Sequence, residues 1–223
     1  MPRARRQSPG GIVYHVLNRA NARQTIFEGS FDYNMFEKIL AEGLAKIPMR
    51  LTGYCLMSNH WHLLLWPCND GDLSAFMHWV TMTHTQRWHS VHNTVGTGHL
   101  YQGRFKSFPI QSEYYYLTAL RYIESNPCRA GLVKSSSDWI WSSLTIRRGV
   151  AKEGVAISGG PVELPDNWAG LVDILPWEND LGKIEQCIRR GTPLGQDNWV
   201  QQTAEHLLLT STLRPRGRPR KGS

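Results

Sequence analysis

Residues 51–66 read LTGYCLMSNHWHLLLW, and the polar break at Ser58-Asn59 decides the fold. Short apolar runs on both sides of a polar break are the signature of two strands joined by a tight turn. This places strands at 51–57 and 60–66 and a hairpin between them. Side chains alternate along a strand, so His60 and His62 share one face while Trp61 and Leu63 take the other. The Cα atoms of the two histidines then lie roughly 6.5 Å apart, near enough for both imidazoles to reach one cation. The pair reads either as ordinary histidines near a hairpin turn or as two ligands of one cation, and the second reading asks for a third ligand and a task.

Outward from the hairpin, the pattern alternates between periods. Residues 12–18, IVYHVLN, read as a strand after the Pro9-Gly10-Gly11 punctuation. Phe31, Met35, Phe36, Ile39, Leu40 and Leu44 recur at helical spacing, giving a helix from 31 to about 45 that Pro48 helps to end. Leu73, Phe76, Met77, Val80 and Thr83 mark a second helix over 72–92, with Asp72 placed to suit its dipole. Gly96 and Gly98 make 93–100 a loop, 101–110 alternates as a fourth strand, and 113–125 is a third helix stopped by Pro127. Strand, helix, strand, strand, helix, strand is the ferredoxin-like split βαβ order, an α+β fold with a four-stranded antiparallel sheet. Two helices cover one face of such a sheet, and the helix at 113–125 is the candidate cover for the other.

Composition adds a partner. The chain carries 25 Lys and Arg against 18 Asp and Glu. Eight of those cations sit in residues 1–6 and 214–221 without an acid among them, which leaves 17 against 18 for the body. A near-neutral body with two basic arms suits a polyanion, since each arm can displace counterions from phosphates; a pair of solubilising tails is the blander account. Residues 151–213 run the other way, with 4 basic and 9 acidic residues, and read as a mostly helical extension over 131–213 packed on a catalytic domain over 1–130. Cys55, Cys68, Cys128 and Cys187 are widely spaced with no CxxC, as reduced thiols are. The absence of 18 consecutive apolar residues predicts neither secretion nor a membrane span, and so a cytoplasmic protein.

The third ligand is sought in RYIESNPCRAGLV, residues 121–133. On a helix Tyr122 and Asn126 are four apart and face one way, while Glu124 points away. Asn126 can offer an amide oxygen and Tyr122 a hydroxyl; alternatively Tyr122 packs in the core and Asn126 merely ends the helix before Pro127. Tyr114, Tyr115 and Tyr116 are rival nucleophiles on composition.

GGIVYHVLNRANARQTIF, YCLMSNHWHLLL, YQGRFKS and RYIESNPCRAGLV, taken together, resemble the IS200-type single-tyrosine HUH transposases, and more narrowly the REP-associated tyrosine transposases. The resemblance covers residues 9 to about 145 and implies the same ferredoxin-like fold. It implies cleavage of single-stranded DNA near palindromic hairpins through a covalent 5′-phosphotyrosine. It assigns His60, His62 and Asn126 to a Mg2+ or Mn2+ ion and Tyr122 to the nucleophile. It also implies a bacterial, nucleoid-associated protein, expected to be a monomer rather than a dimer. Two rival functions remain open: a catalytically silent regulator that binds hairpin DNA with the same fold, and a metal-dependent hydrolase in which Tyr122 is structural.

Phosphate contacts are expected from Arg104 and Lys106 on one face of the fourth strand, from Arg19 and Arg23 after the first, and from Arg121 and Arg129 flanking the nucleophile. The end, LRPRGRPRKGS, is a low-complexity basic arm resembling an AT-hook. Gly217 lets the backbone approach a groove floor, and Arg216, Arg218 and Arg220 suit a narrow A·T-rich minor groove or serve as a plain phosphate anchor.

Overall fold

The computed structural model describes residues 7–111, 113–150, 152, 154–174 and 178–214. Four strands, β1 (Val13–Arg19), β2 (Met49–Met57), β3 (His60–Pro67) and β4 (Lys106–Ile110), form one sheet in the order β2-β3-β1-β4 with every neighbour antiparallel. This is the split βαβ arrangement read from the periodicity. Helices α1 (Ser30–Lys46) and α2 (Asp72–Val91) pack on one face, where Trp61, Leu63 and Leu65 of β3 meet Phe36, Leu40, Phe76 and Val80. Phe31, counted with the apolar stripe of α1, instead lies 63% exposed, and the buried positions of that first turn are Asp32 and Tyr33.

The opposite face is covered by α3 (Tyr114–Glu124), whose Tyr116, Ala119, Leu120 and Ile123 pack on Val13, Leu17, Leu64 and Phe108. Gly53, at the bulge in β2, permits the close approach: a Cβ there would lie 2.5 Å from a Leu120 methyl. α4 (Asn126–Arg129) follows α3 after the single residue Ser125. The remaining helices are α5 (Ser143–Arg147), α6 (Trp168–Val172), α7 (Glu178–Arg190) and α8 (Asp197–His206). Helices α5, α6 and α7 extend this second core with Leu144, Trp168, Val172 and Ile184. Much of 154–167 is irregular chain, and at the sheet's β2 edge Ser158 N–H donates to Leu51 O. At the other edge, Leu194 exchanges backbone bonds with Pro109 and Gln111 beside β4. Both edges thus gain backbone partners from the extension.

β4 is shorter than the alternation over 101–110 predicts. Only Tyr101 makes a bridge, to Ala20, and Asn18 Nδ2 donates to Gly103 O, so 102–105 leaves the sheet as a bend. Arg104 therefore sits in that bend rather than on the strand beside Lys106. Among the described residues no helix is long and apolar enough to cross a membrane. The four cysteines are free thiols. Arg216, Arg218 and Arg220, with the rest of the arm beyond Arg214, lie outside the described residues, as do residues 1–6.

Candidate functional site

Register builds the site. Antiparallel pairing sets Arg19 opposite His60 and Leu17 opposite both His62 and Lys106, so these side chains lie in two adjacent rows on the α3 face. His15, one pleat further along β1, is diagonal to His62. The rings of His60 and His62 lie 5.1 Å apart between centroids, as strand alternation requires. Tyr122 comes down from α3 onto this face, its ring 6.0 Å from that of His62 and 6.1 Å from that of His15. Tyr122 is 8% exposed, and Tyr116 is buried against the Thr52 carbonyl. Tyr114 donates to Asp180 2.6 Å away, far along α3 from the histidines. Of the four tyrosines of α3, the structure brings Tyr122 to the histidine pair.

Both histidines have their Nδ1 atoms occupied. His60 Nδ1 donates to Asn59 Oδ1 at 2.7 Å, and Asn59 is held in that orientation because its Nδ2 donates to Arg23 O at 3.2 Å. That fixes His60 with Nε2 bare. His62 Nδ1 pairs at 2.8 Å with Nε2 of His15, a fully buried side chain. Burial, with Arg19 beside it, holds the His60 pKa down at about 4, and burial alone takes His15 to about 3. Burial followed by the neighbouring histidines and arginines keeps His62 well below the usual imidazole range. All three are neutral at physiological pH, the form in which imidazole accepts a cation.

Asn126 lies one turn beyond Tyr122, but across a helix end. Ser125 keeps near-helical dihedrals (φ −84°, ψ −4°), so the direction of α3 continues into α4. The Asn126 amide is half-buried and makes no hydrogen bond among the described residues, which leaves its oxygen available. Among the described residues no three His, Cys, Asp or Glu side chains converge as a metal cluster. A cation here would thus need two imidazoles and neutral oxygens, a set that suits Mn2+ better than the oxygen-preferring Mg2+.

Glu124 does point away, as expected. Its Oε1 accepts from Ser143 Oγ at 2.5 Å and Arg147 Nε at 2.9 Å, and its Oε2 from Trp168 Nε1 at 2.6 Å. The carboxylate is 0% exposed, and these three partners from the extension anchor the end of the helix that carries Tyr122.

The expected phosphate-binding cations divide. Arg19 and Lys106 stand on the site's face, and Arg23 borders it through Asn59. Arg129 is engaged with the turn of Tyr122 itself: its guanidinium lies 4.1 Å over the Tyr122 ring, Nη2 donates to Tyr122 O and Nε to Ser125 Oγ. Arg121 turns the other way, toward Asp180 and Tyr114, so it flanks Tyr122 in sequence and not in space. His15, Asn59 and the stacking of Arg129 were missed by the sequence reading. The signal for His15 was present in IVYHVLN as a polar ring in an apolar strand.

The structure thus sets a helix-borne tyrosine beside a strand-borne His-x-His pair in a ferredoxin-like sheet. The IS200-like transposase family model matches residues 10–126, and the chain belongs to that family. It is similar to a REP-associated tyrosine transposase of Escherichia coli (strain K12), 26% identical over 163 residues that make up 73% of this chain and 87% of that protein. It is also similar in fold to a solved REP-associated tyrosine transposase bound to a REP hairpin, with a TM-score of 0.55 and 23% identity. That alignment covers 74% of this chain and 100% of the other.

Proposed function

We propose that this chain is a divalent-cation-dependent endonuclease and strand transferase for single-stranded DNA carrying hairpins. Tyr122 is its nucleophile, and His60, His62 and Asn126 are its Mg2+ or Mn2+ ligands. The observation that carries the reading is Tyr122 set beside His62, whose ring adjoins that of His60, with Nδ1 of both neutral histidines already engaged. Hairpin DNA as the substrate rests on the family and on what the solved relative is bound to.

A phenol is a weak nucleophile near neutrality. A bound divalent cation supplies Lewis-acid charge stabilisation of the scissile phosphate's transition state. The rest falls to the chain. Tyr122 Oη attacks phosphorus and loses its proton; the P–O3′ bond breaks and the leaving oxygen takes up a proton as a 3′-hydroxyl. The DNA's 5′ phosphate is then esterified to Tyr122. A second 3′-hydroxyl reverses the step, restoring a phosphodiester and freeing the tyrosine, with the number of phosphoester bonds conserved. Arg129, stacked on the Tyr122 ring, limits the ring's rotation. Arg19 and Lys106 align the strand's phosphates across the face, and the C-terminal arm adds a contact to duplex DNA, A·T-rich if it reads a groove. One chain supplies all of these residues, which favours a monomer.

The test is a hairpin oligonucleotide labelled on either side of the cut, incubated with Mn2+ and run on a denaturing gel. The reading expects the fragment with the new 5′ end to migrate with protein and the other to end in a free 3′-hydroxyl. A free 5′ phosphate would instead identify a hydrolase. Tight hairpin binding with no cut would identify the silent regulator.

A further inference from the structure

The hydrogen bond between His15 and His62 carries one proton, and its direction decides what His62 can do. His62 Nδ1 and His15 Nε2 are 2.8 Å apart, so one ring donates and the other accepts. If His15 donates, His62 carries its own proton on Nε2 and has no lone pair left for a cation. If His62 donates from Nδ1, its Nε2 is bare. No comparable ambiguity exists at His60, where a carbonyl oxygen can only accept. His15 itself is 0% exposed, packed against Phe108 and Tyr122 with ring centroids 4.9 and 6.1 Å away, and its Nδ1 has no partner among the described residues. A buried polar ring with one unmet nitrogen carries a desolvation cost that an apolar side chain in this strand would avoid.

We propose that His15 is a positioning residue for the cation site: it accepts the Nδ1 proton of His62 and thereby presents a bare Nε2 to the metal. The proposal rests on the reading of His60 and His62 as metal ligands. It requires His15 to keep its own proton on Nδ1, the atom left unmet in the core. Both rings stay neutral, and no net proton is gained or lost by the pair. Hydrogen-bonded partners behind ligating histidines commonly change metal affinity by about 10- to 100-fold when removed.

Mn2+ binding to the full chain, followed by electron paramagnetic resonance of the free ion, tests this without cleavage. His15→Phe keeps an aromatic ring against Phe108 and removes the acceptor; affinity is expected to fall by about tenfold or more. His15→Gln restores an acceptor oxygen and is expected to recover most of that loss. Wild-type binding with His15→Phe within twofold of it would overturn the inference and leave the metal reading standing. Failure of the wild-type chain to bind Mn2+ would overturn both. Should His15→Phe not fold, long-range 1H–15N spectra of the wild-type chain in saturating Mg2+ decide. A proton on His62 Nδ1 with bare Nε2 supports the inference, and a proton on Nε2 overturns it.

Discussion

The two faces of the sheet each bury a histidine, and the pair shows that burial alone does not tell a closed core network from a bond that leads to the candidate site. His84 on the α1–α2 side and His15 on the α3 side are both 0% exposed, and burial lowers each to a pKa of about 3. Each also has one ring nitrogen bonded and one buried without a partner among the described residues. Their partners differ. His84 Nδ1 meets the Tyr101 hydroxyl at 2.6 Å, and that hydroxyl accepts from Trp61 Nε1 at 2.9 Å, so the chain of bonds closes inside the core. The bond from His15 leads instead to His62, beside Tyr122. Burial and a shifted pKa are thus shared by both; the destination of the hydrogen bond distinguishes them. One tripeptide serves both faces, since Trp61 anchors the closed network while His60 and His62 form the open one.

The largest effects should fall on the open face. Tyr122→Phe should abolish the protein–DNA adduct, and His60→Ala or His62→Ala should reduce cleavage to background, while each keeps most of its hairpin affinity in gel-shift titrations. Asn126→Ala should be milder, because water can replace a neutral oxygen ligand. An adduct formed by Tyr122→Phe and lost in Tyr115→Phe would move the nucleophile and break the comparison.

On the closed face the effect should be on stability. Trp61→Phe leaves the Tyr101 hydroxyl without its donor in the core, a loss of about 1–3 kcal/mol read by urea unfolding. Cleavage per folded molecule should change far less than for His62→Ala. A Trp61→Phe chain of full stability but no activity would put Trp61 in the site rather than beneath it.

Acid should expose the shared property. An unfolded histidine binds its proton near pH 6.5, whereas His84 in the folded chain does so only at about 3. Between these values the unfolded state holds more protons, so stability rises with pH and is lost as pH falls below about 6.5. His84→Phe should flatten the slope of unfolding free energy against pH over 4.5–6 by up to about 1.4 kcal/mol per pH unit. An unchanged slope would mean that His84 is not held neutral.

Smaller still are the phosphate contacts. Lys106→Ala and Arg19→Ala should each lower the slope of log affinity against log salt by about 0.7 on single strands, and Arg121→Ala, facing α7, should not. Removing residues 214–223 should lower the slope further without changing single-turnover cleavage at saturating protein.

Strand order, helix positions and the histidine pair were legible because alternation and 3.6-residue spacing register burial directly. Lys106 and Arg104 were read together on a strand, but Asn18 draws Gly103 out of it, a contact between residues 85 apart. Arg121 and Arg129 looked equivalent beside Tyr122; only the packing of α7 and the turn after α3 tells them apart. Both the face that His15 takes and its diagonal bond to His62 depend on the register between β1 and β3, which local sequence does not encode. The Glu124 clasp needed partners up to 44 residues away.

The central claim is that Tyr122 becomes joined to DNA on the histidine face. Incubating the full chain with a hairpin-bearing single strand and Mn2+, digesting the protein and locating the modified peptide by mass spectrometry tests it most directly. The account predicts a 5′-phosphonucleotide mass on Tyr122, absent when the cation is chelated. Cut DNA with every tyrosine unmodified, or the mass on Tyr114, Tyr115 or Tyr116, would contradict it.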